Sequence, residues 1–186
     1  MKHFFKFILW IIIICVLIYG GMTAYQKVQR YIYPTDYKEL VEKYSNEYEL
    51  DKSLVFAVIK CESNFDPNAV SSIGAKGLMQ LTDETYEWVC SRYDEKDDDS
   101  NNLFYAEKNI EAGCRLLKLL EKDFTSLETR ICAYHAGRNI TLKWLENSEY
   151  SSDGKTLIEI PYSDTSSYVD RVVRTIEKYQ KIYEIQ

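Results

Sequence analysis

The chain has 186 residues, 46% of them hydrophobic, with a net charge of −6 and an isoelectric point near 5.1. That length holds one full-sized domain with its own core and leaves no room for two. The acidic balance excludes nucleic acid as a partner, because no stripe of lysine and arginine exists to neutralise phosphates.

Residues 7–24 carry no charge, with Lys2 and Lys6 before them and Lys27 and Arg30 after. The run is long for the apolar region of a secretory signal, and Met22 ahead of Ala24 makes a poor small-x-small cleavage pattern, so an uncleaved single-pass membrane anchor is expected. The flanking basic residues nearly balance, and charge alone does not orient the span. The chain therefore divides into an anchor at 1–24, a juxtamembrane linker at 25–35 and a domain at 36–186.

Helical signals then follow one another along the domain. Asp36 with Glu39 resembles a capping box, followed by Tyr37, Leu40, Val41, Tyr44 and Tyr48 at helical spacing. Asp51 or Ser53 caps a second helix of about Ser53 to Ser63, an apolar run with Glu62 at its end. Thr82 caps a third. Residues 94–102 form an acidic loop, read as solvated because it lacks the central glycine and twelfth-position glutamate of a calcium loop. Periodicity resumes from Leu103 to Leu120, from Leu127 to Ala136 with a stop at Gly137, around Ile140 to Leu145, and after Pro161. No strand alternation is convincing, so the domain is all-α, with about seven helices.

Five cysteines occur, one of them, Cys15, inside the anchor. Cys61, Cys90, Cys114 and Cys132 lie beside apolar residues in helical patterns, which leaves two disulfides and buried thiols both open. No metal-ligand spacing is present. His135 is the domain's only histidine, which argues against a Ser-His-Asp hydrolase and a multi-histidine metal site.

Glu62 is the residue on which chemistry is expected. An apolar setting and the negative end of a helix both disfavour an ionised carboxylate, so its pKa should rise toward that of a general acid. Gly74 and Gly77 in the following loop permit positive φ and close approach of the backbone to a ligand, while Ser71 and Gln80 supply hydrogen-bonding groups. Taken alone, Met79 reads as core filling and Tyr134 as a buried aromatic. Asp66 before Pro67 reads as a turn residue, and Asp83 as first-turn helix charge.

Glu62-Ser63, Ala69-Val70-Ser71 and Gly74-Ala75-Lys76-Gly77-Leu78-Met79-Gln80-Leu81 resemble the signature of the lytic transglycosylases of the soluble-lytic-transglycosylase (SLT) type. Three further stretches follow in that family's order: Asn109, Gly113 and Leu116-Leu117; Ala133-Tyr134-His135-Ala136-Gly137; and Ile160-Pro161-Tyr162 with Asp164-Thr165 and Tyr168-Val169. The resemblance spans about residues 38 to 183. It implies a goose-lysozyme-like fold, peptidoglycan glycan strands as substrate, no cofactor or metal, and an extracytoplasmic domain on the cell membrane.

By this resemblance Glu62 is the sole catalytic acid and base. It protonates the oxygen between N-acetylmuramic acid and N-acetylglucosamine, and the muramoyl 6-hydroxyl then closes a 1,6-anhydro ring. An ordinary glycosidase needs two carboxylates; the intramolecular hydroxyl removes that need. Ser71 is implied to sit near the acid, Met79, Gln80 and Tyr134 to line the cleft, and Tyr168 to face Glu62. His135 stands where the family usually has asparagine, and Asp164 where it usually has glutamate. A muramidase of the same fold and a non-catalytic wall-binding protein are the competing readings.

Overall fold

The computed structural model of the chain describes residues 2–94 and 99–185. Residues 95–98, four of the nine residues of the acidic stretch, lie outside the described residues. The chain divides into two units, Met1–Pro34 and Thr35–Gln186.

The first unit is one helix, α1, Lys2–Ile32. Its segment Trp10–Ile32 is long and apolar enough to cross a membrane, and its large apolar side chains, among them Ile11, Ile14, Leu17 and Ile18, are exposed. Residues 25–32, read from the sequence as linker, continue this helix. No proline or glycine interrupts the hydrogen-bond ladder there until Pro34.

The second unit holds α2 (Lys38–Glu47), α3 (Lys52–Glu62), α4 (Asp83–Arg92), a 3-10 turn (Ser100–Phe104), α5 (Ala106–Asp123), α6 (Leu127–Ala136), α7 (Arg138–Leu145) and α8 (Ser163–Tyr183). Among the described residues there is no strand, only two isolated bridges around Lys76. The expected capping box at Asp36 does not form. Tyr37 precedes α2 in the left-handed region, φ 59, with no side-chain cap, and the box needs an extended residue there. The other caps are local and direct: Asp51 accepts from the Ser53 amide at 2.7 Å, and Thr82 from that of Thr85 at 3.2 Å.

α3 is the central element. Ser53 through Ile59 are all buried, as expected of a helix apolar on every side and surrounded by neighbours. It packs against α2 and most extensively against α8, where Phe56 stacks on Tyr179 with ring centres 5.3 Å apart. α5 packs on α2, α4 and α6, and α6 in turn on α8. The C-terminal end of α3 is thereby held between the loop that follows it and the last helix of the chain. Glu62 is its final residue.

No disulfide is formed among the described residues. Cys90, Cys114 and Cys132 are buried and Cys61 is half-buried. Burial raises the Cys61 thiol and pushes that of Cys132 up to about 11, so neither is a thiolate at neutral pH.

Candidate active site

After Ser63 the chain reverses through two left-handed residues, Asn64 and Phe65, and returns as the loop 66–82. Asp66 accepts from the Asn68 amide at 2.9 Å, the turn role expected of it. Within the loop the Ser71 amide donates to the Ala75 carbonyl and the Gly74 amide to the Ser71 carbonyl, while Lys76 and Leu81 exchange a pair of backbone bonds. Gly74 and Gly77 have φ of 81° and 74°. The close approach at Gly77 is to the protein itself: a Cβ there would lie 2.2 Å from the Leu103 carbonyl oxygen and 2.3 Å from Asn109 Nδ2.

Asn109, fully buried on α5, pins this loop from beneath. Its Oδ1 accepts from the Met79 amide at 2.7 Å, and its Nδ2 donates to the carbonyls of Lys76 at 2.9 Å and Leu103 at 2.8 Å. One turn on, Gly113 leaves the space that Met79 fills, since a Cβ there would lie 2.2 Å from the methionine sulfur. Met79 is fully buried. Its expected place on the cleft surface is therefore corrected: the side chain is core, and its carbonyl accepts from the Tyr134 hydroxyl at 2.7 Å. Ser63 ties the same loop to α3 by donating to the Leu78 carbonyl at 2.8 Å.

Glu62 opens into a cleft of about 570 Å³, which Ser71, Gln80, Tyr134, His135 and Asp164 also line. The buried Tyr168 hydroxyl donates to Glu62 Oε1 at 2.5 Å across 106 residues of chain. Burial pushes the Glu62 carboxyl up to about 7, against the Tyr168 hydrogen bond and the positive charge of Arg171, both of which favour the ionised form. A carboxyl so placed can donate a proton near neutral pH and take one back.

The polar side chains of the two walls behave differently. Gln80 touches the cleft, yet its amide donates to the carbonyls of Ala69 at 3.1 Å and Gly77 at 2.9 Å. The Ser71 hydroxyl accepts from the Ala75 amide at 3.0 Å. On the opposite wall His135 and Asp164 are exposed. The His135 ring stacks on Tyr168 with centres 4.4 Å apart, and its Nδ1 lies 3.1 Å from Thr165 Oγ1. Burial lowers the His135 pKa while Asp164 raises it and Arg171 adds to the lowering, so the ring is neutral above its ordinary range.

Asp83 is bound to Lys76 Nζ at 2.7 Å and does not line the cleft. Among the described residues no group of three or more His, Cys, Asp or Glu side chains is clustered as a metal site requires. Four residues with structural parts here were not singled out as site residues from the sequence. Tyr162 and Thr165 line the cleft; an aromatic and a hydroxyl bracketing the first turn of α8 was the available signal. Ser63 and Asn109 position the loop, and the signal for Asn109 was a polar residue inside an apolar helical pattern. Past Tyr134 the cleft runs on into a groove of about 430 Å³ beside Trp88, Arg138 and Ile140.

Residues 39–157 match the family model described as Transglycosylase SLT domain. The soluble lytic murein transglycosylase of Escherichia coli (strain K12) is 31% identical over 146 residues, 76% of this chain and 22% of that protein. The membrane-bound lytic murein transglycosylase C of Photorhabdus laumondii is 33% identical over 134 residues, 67% of this chain and 36% of that one. The fold is similar to the crystal structure of the 70 kDa soluble lytic transglycosylase from Escherichia coli, with a TM-score of 0.73 and 26% identity, covering 82% of this chain and 25% of that one. The chain thus spans between 22% and 36% of the length of these relatives.

Proposed function

The chain belongs to the transglycosylase SLT domain family, and from that premise we propose that it is a membrane-anchored peptidoglycan lytic transglycosylase. Residues 7–24 anchor it in the cytoplasmic membrane, and the domain 36–186 works on the outer face, where glycan strands lie. A span of the length of Trp10–Ile32 supports the anchoring. The observation that carries the catalytic reading is Glu62 itself: a carboxyl at the floor of an open cleft, held by one tyrosine and raised by burial to about 7, so that both its forms are populated near neutral pH.

In this reading Glu62 gives its proton to the glycosidic oxygen between N-acetylmuramic acid and N-acetylglucosamine as the bond to the muramoyl anomeric carbon breaks. The muramoyl 6-hydroxyl attacks that carbon, and its proton passes to the Glu62 carboxylate, which restores the acid. Water takes no part. Tyr168 occupies Oε1, which leaves the other oxygen to face the sugar. The groove beyond Tyr134 gives room for sugars on one side of the reacting pair.

A hydrolytic muramidase would need a second carboxylate to act on water. Asp164, exposed on the opposite wall of the same cleft, is the residue that favours this alternative. Mass spectrometry of muropeptides released from insoluble peptidoglycan separates the readings. Anhydro-muramoyl ends, lost in Glu62→Gln and still formed by Asp164→Asn, are expected. Reducing ends that vanish in Asp164→Asn would establish hydrolysis, and sedimentation with the wall without soluble release would make the protein a binding module.

A further inference from the structure

Arg171 lies on α8, one turn past Tyr168 and beside the end of α3. It matches none of the residues to which the sequence assigned a role. Its guanidinium carbon sits 5.4 Å from the centre of the Tyr168 ring, the ring whose hydroxyl binds Glu62. The residue is exposed to solvent, yet its charge acts on Cys61, Glu62 and His135.

Its backbone is tied to the catalytic helix. The Cys61 thiol donates to Thr175 Oγ1 at 3.6 Å, and that hydroxyl donates to the Arg171 carbonyl at 2.7 Å. The residue next to Glu62 and the residue that carries the cation are thus joined through one side chain. The register of α8 against α3 therefore sets where the guanidinium stands.

We propose that Arg171 is a positioning residue for the catalytic acid: its guanidinium holds the Tyr168 ring and stabilises the Glu62 carboxylate left when the proton has gone to the glycosidic oxygen. A carboxyl in an apolar setting is easily kept protonated but is then a reluctant donor, because the anion it must become is poorly solvated. A cation held over the ring of the tyrosine that binds the carboxyl answers that without filling the cleft, and a cation on a tyrosine face is favourable in its own right. Among the described residues the other titratable groups facing the carboxyl are Tyr168 on α8, Tyr134 on α6 and Cys61 on α3. Burial raises all three, so they are neutral in the working range. His135 reaches the carboxyl only through the Tyr168 ring, which leaves Arg171 as the permanent charge.

The inference rests on the reading of Glu62 as the acid, and its test is separable from that reading. The full chain in detergent micelles is labelled with carboxyl-¹³C glutamate, and the Glu62 signal, assigned by its loss in Glu62→Gln, is titrated in the parent and in Arg171→Ala, Arg171→Gln and Arg171→Lys. The titration of Glu62 is expected to move up by roughly half a unit in the Ala and Gln variants and to stay in place in the Lys variant. In turnover of soluble glycan strands, kcat of Arg171→Gln should fall by up to about threefold on the acid side of the profile and meet or pass that of the parent on the alkaline side. A merely structural role would lower kcat at every pH.

An unmoved Glu62 titration would overturn the proposal, as would a rise in KM with kcat and its pH profile unchanged, which would make Arg171 a handle for a substrate anion. If Arg171→Ala does not fold, the Gln and Lys pair decides. Should Glu62→Gln retain full activity, the acid assignment fails whatever the titration shows.

Discussion

On one wall of the cleft Ser71 and Gln80 turn their polar atoms back onto the protein. On the other, Tyr162 and Asp164 are exposed to the open space, as is His135, whose Nδ1 alone lies against Thr165 Oγ1. The first wall is a loop with no regular structure, and each of its bends has to be held individually, by Asn109 below, by glycines where a Cβ cannot fit, and by its own side chains. The second is made of the ends of α6 and α8, which the helices already hold. Polar residues in the same cleft therefore do different work: those of the loop hold its shape, and those of the helix ends are left for the ligand.

Substitutions on the loop wall should accordingly cost stability first and activity as a consequence. The largest effect is expected at Gly77→Ala, where the new methyl meets the Leu103 carbonyl and Asn109; a backbone atom cannot swing aside, so a loss of more than about 3 kcal/mol is expected. Asn109→Ala removes three buried hydrogen bonds and should cost about 3 kcal/mol. Thermal unfolding followed by circular dichroism measures both. A Gly77→Ala protein that melts with the parent would mean that the loop is not held in this form.

Glu62, at the junction of the walls, should respond in the opposite direction. Its carboxyl is raised from the ordinary 4.5 to about 7, so the fold favours the neutral form. Its contribution to stability is complete below about pH 4.5 and is lost as pH rises through 7. The span corresponds to at most about 3 kcal/mol, reduced by the open cleft side. Glu62→Gln stays neutral and should melt above the parent at pH 8, with the difference fading toward pH 4.5. A variant that melts lower at every pH would show that burial does not strain this carboxyl. Tyr134→Phe, which leaves the Met79 carbonyl without its partner, should cost about 1–2 kcal/mol.

How much of this could be read from the chain depends on how far apart the partners lie. Local signals were sufficient for α6, whose apolar period stops at Gly137, and for the caps Asp51 and Thr82, whose amide donors are two and three residues away. They failed at Tyr37, where a left-handed residue at the start of α2 has no sequence mark, and at residues 25–32, where no proline or glycine ends the helix. Met79 shows the limit within the site. The residue pattern alone reads it as core, the family resemblance put it on the cleft, and packing against Gly113 on a helix thirty-four positions away decides for the core. The pairing of Tyr168 with Glu62 was reachable only through the resemblance, since no periodicity links residues so distant.

The exposed wall should tolerate change in stability and register it in binding. His135→Asn, which restores the residue usual in the family, removes an exposed ring that stacks on Tyr168 and should alter stability by only about 0.5 kcal/mol near neutral pH. The pH dependence is the informative part. The ring's pKa lies below its ordinary 6.5 because burial disfavours the cation, so the fold favours the neutral ring. Its contribution is complete above 6.5 and lost as pH falls through the lowered value. From pH 7 down through that lowered value the parent cleft therefore gains a positive charge beside Asp164 and Arg171 that the variant cannot acquire. KM of the parent for soluble glycan strands should change over that interval and that of His135→Asn should not, while kcat, which follows Glu62, keeps the same profile in both. Parallel KM curves would mean that His135 does not meet the ligand and that this wall, like the loop, serves only to hold the cleft in shape.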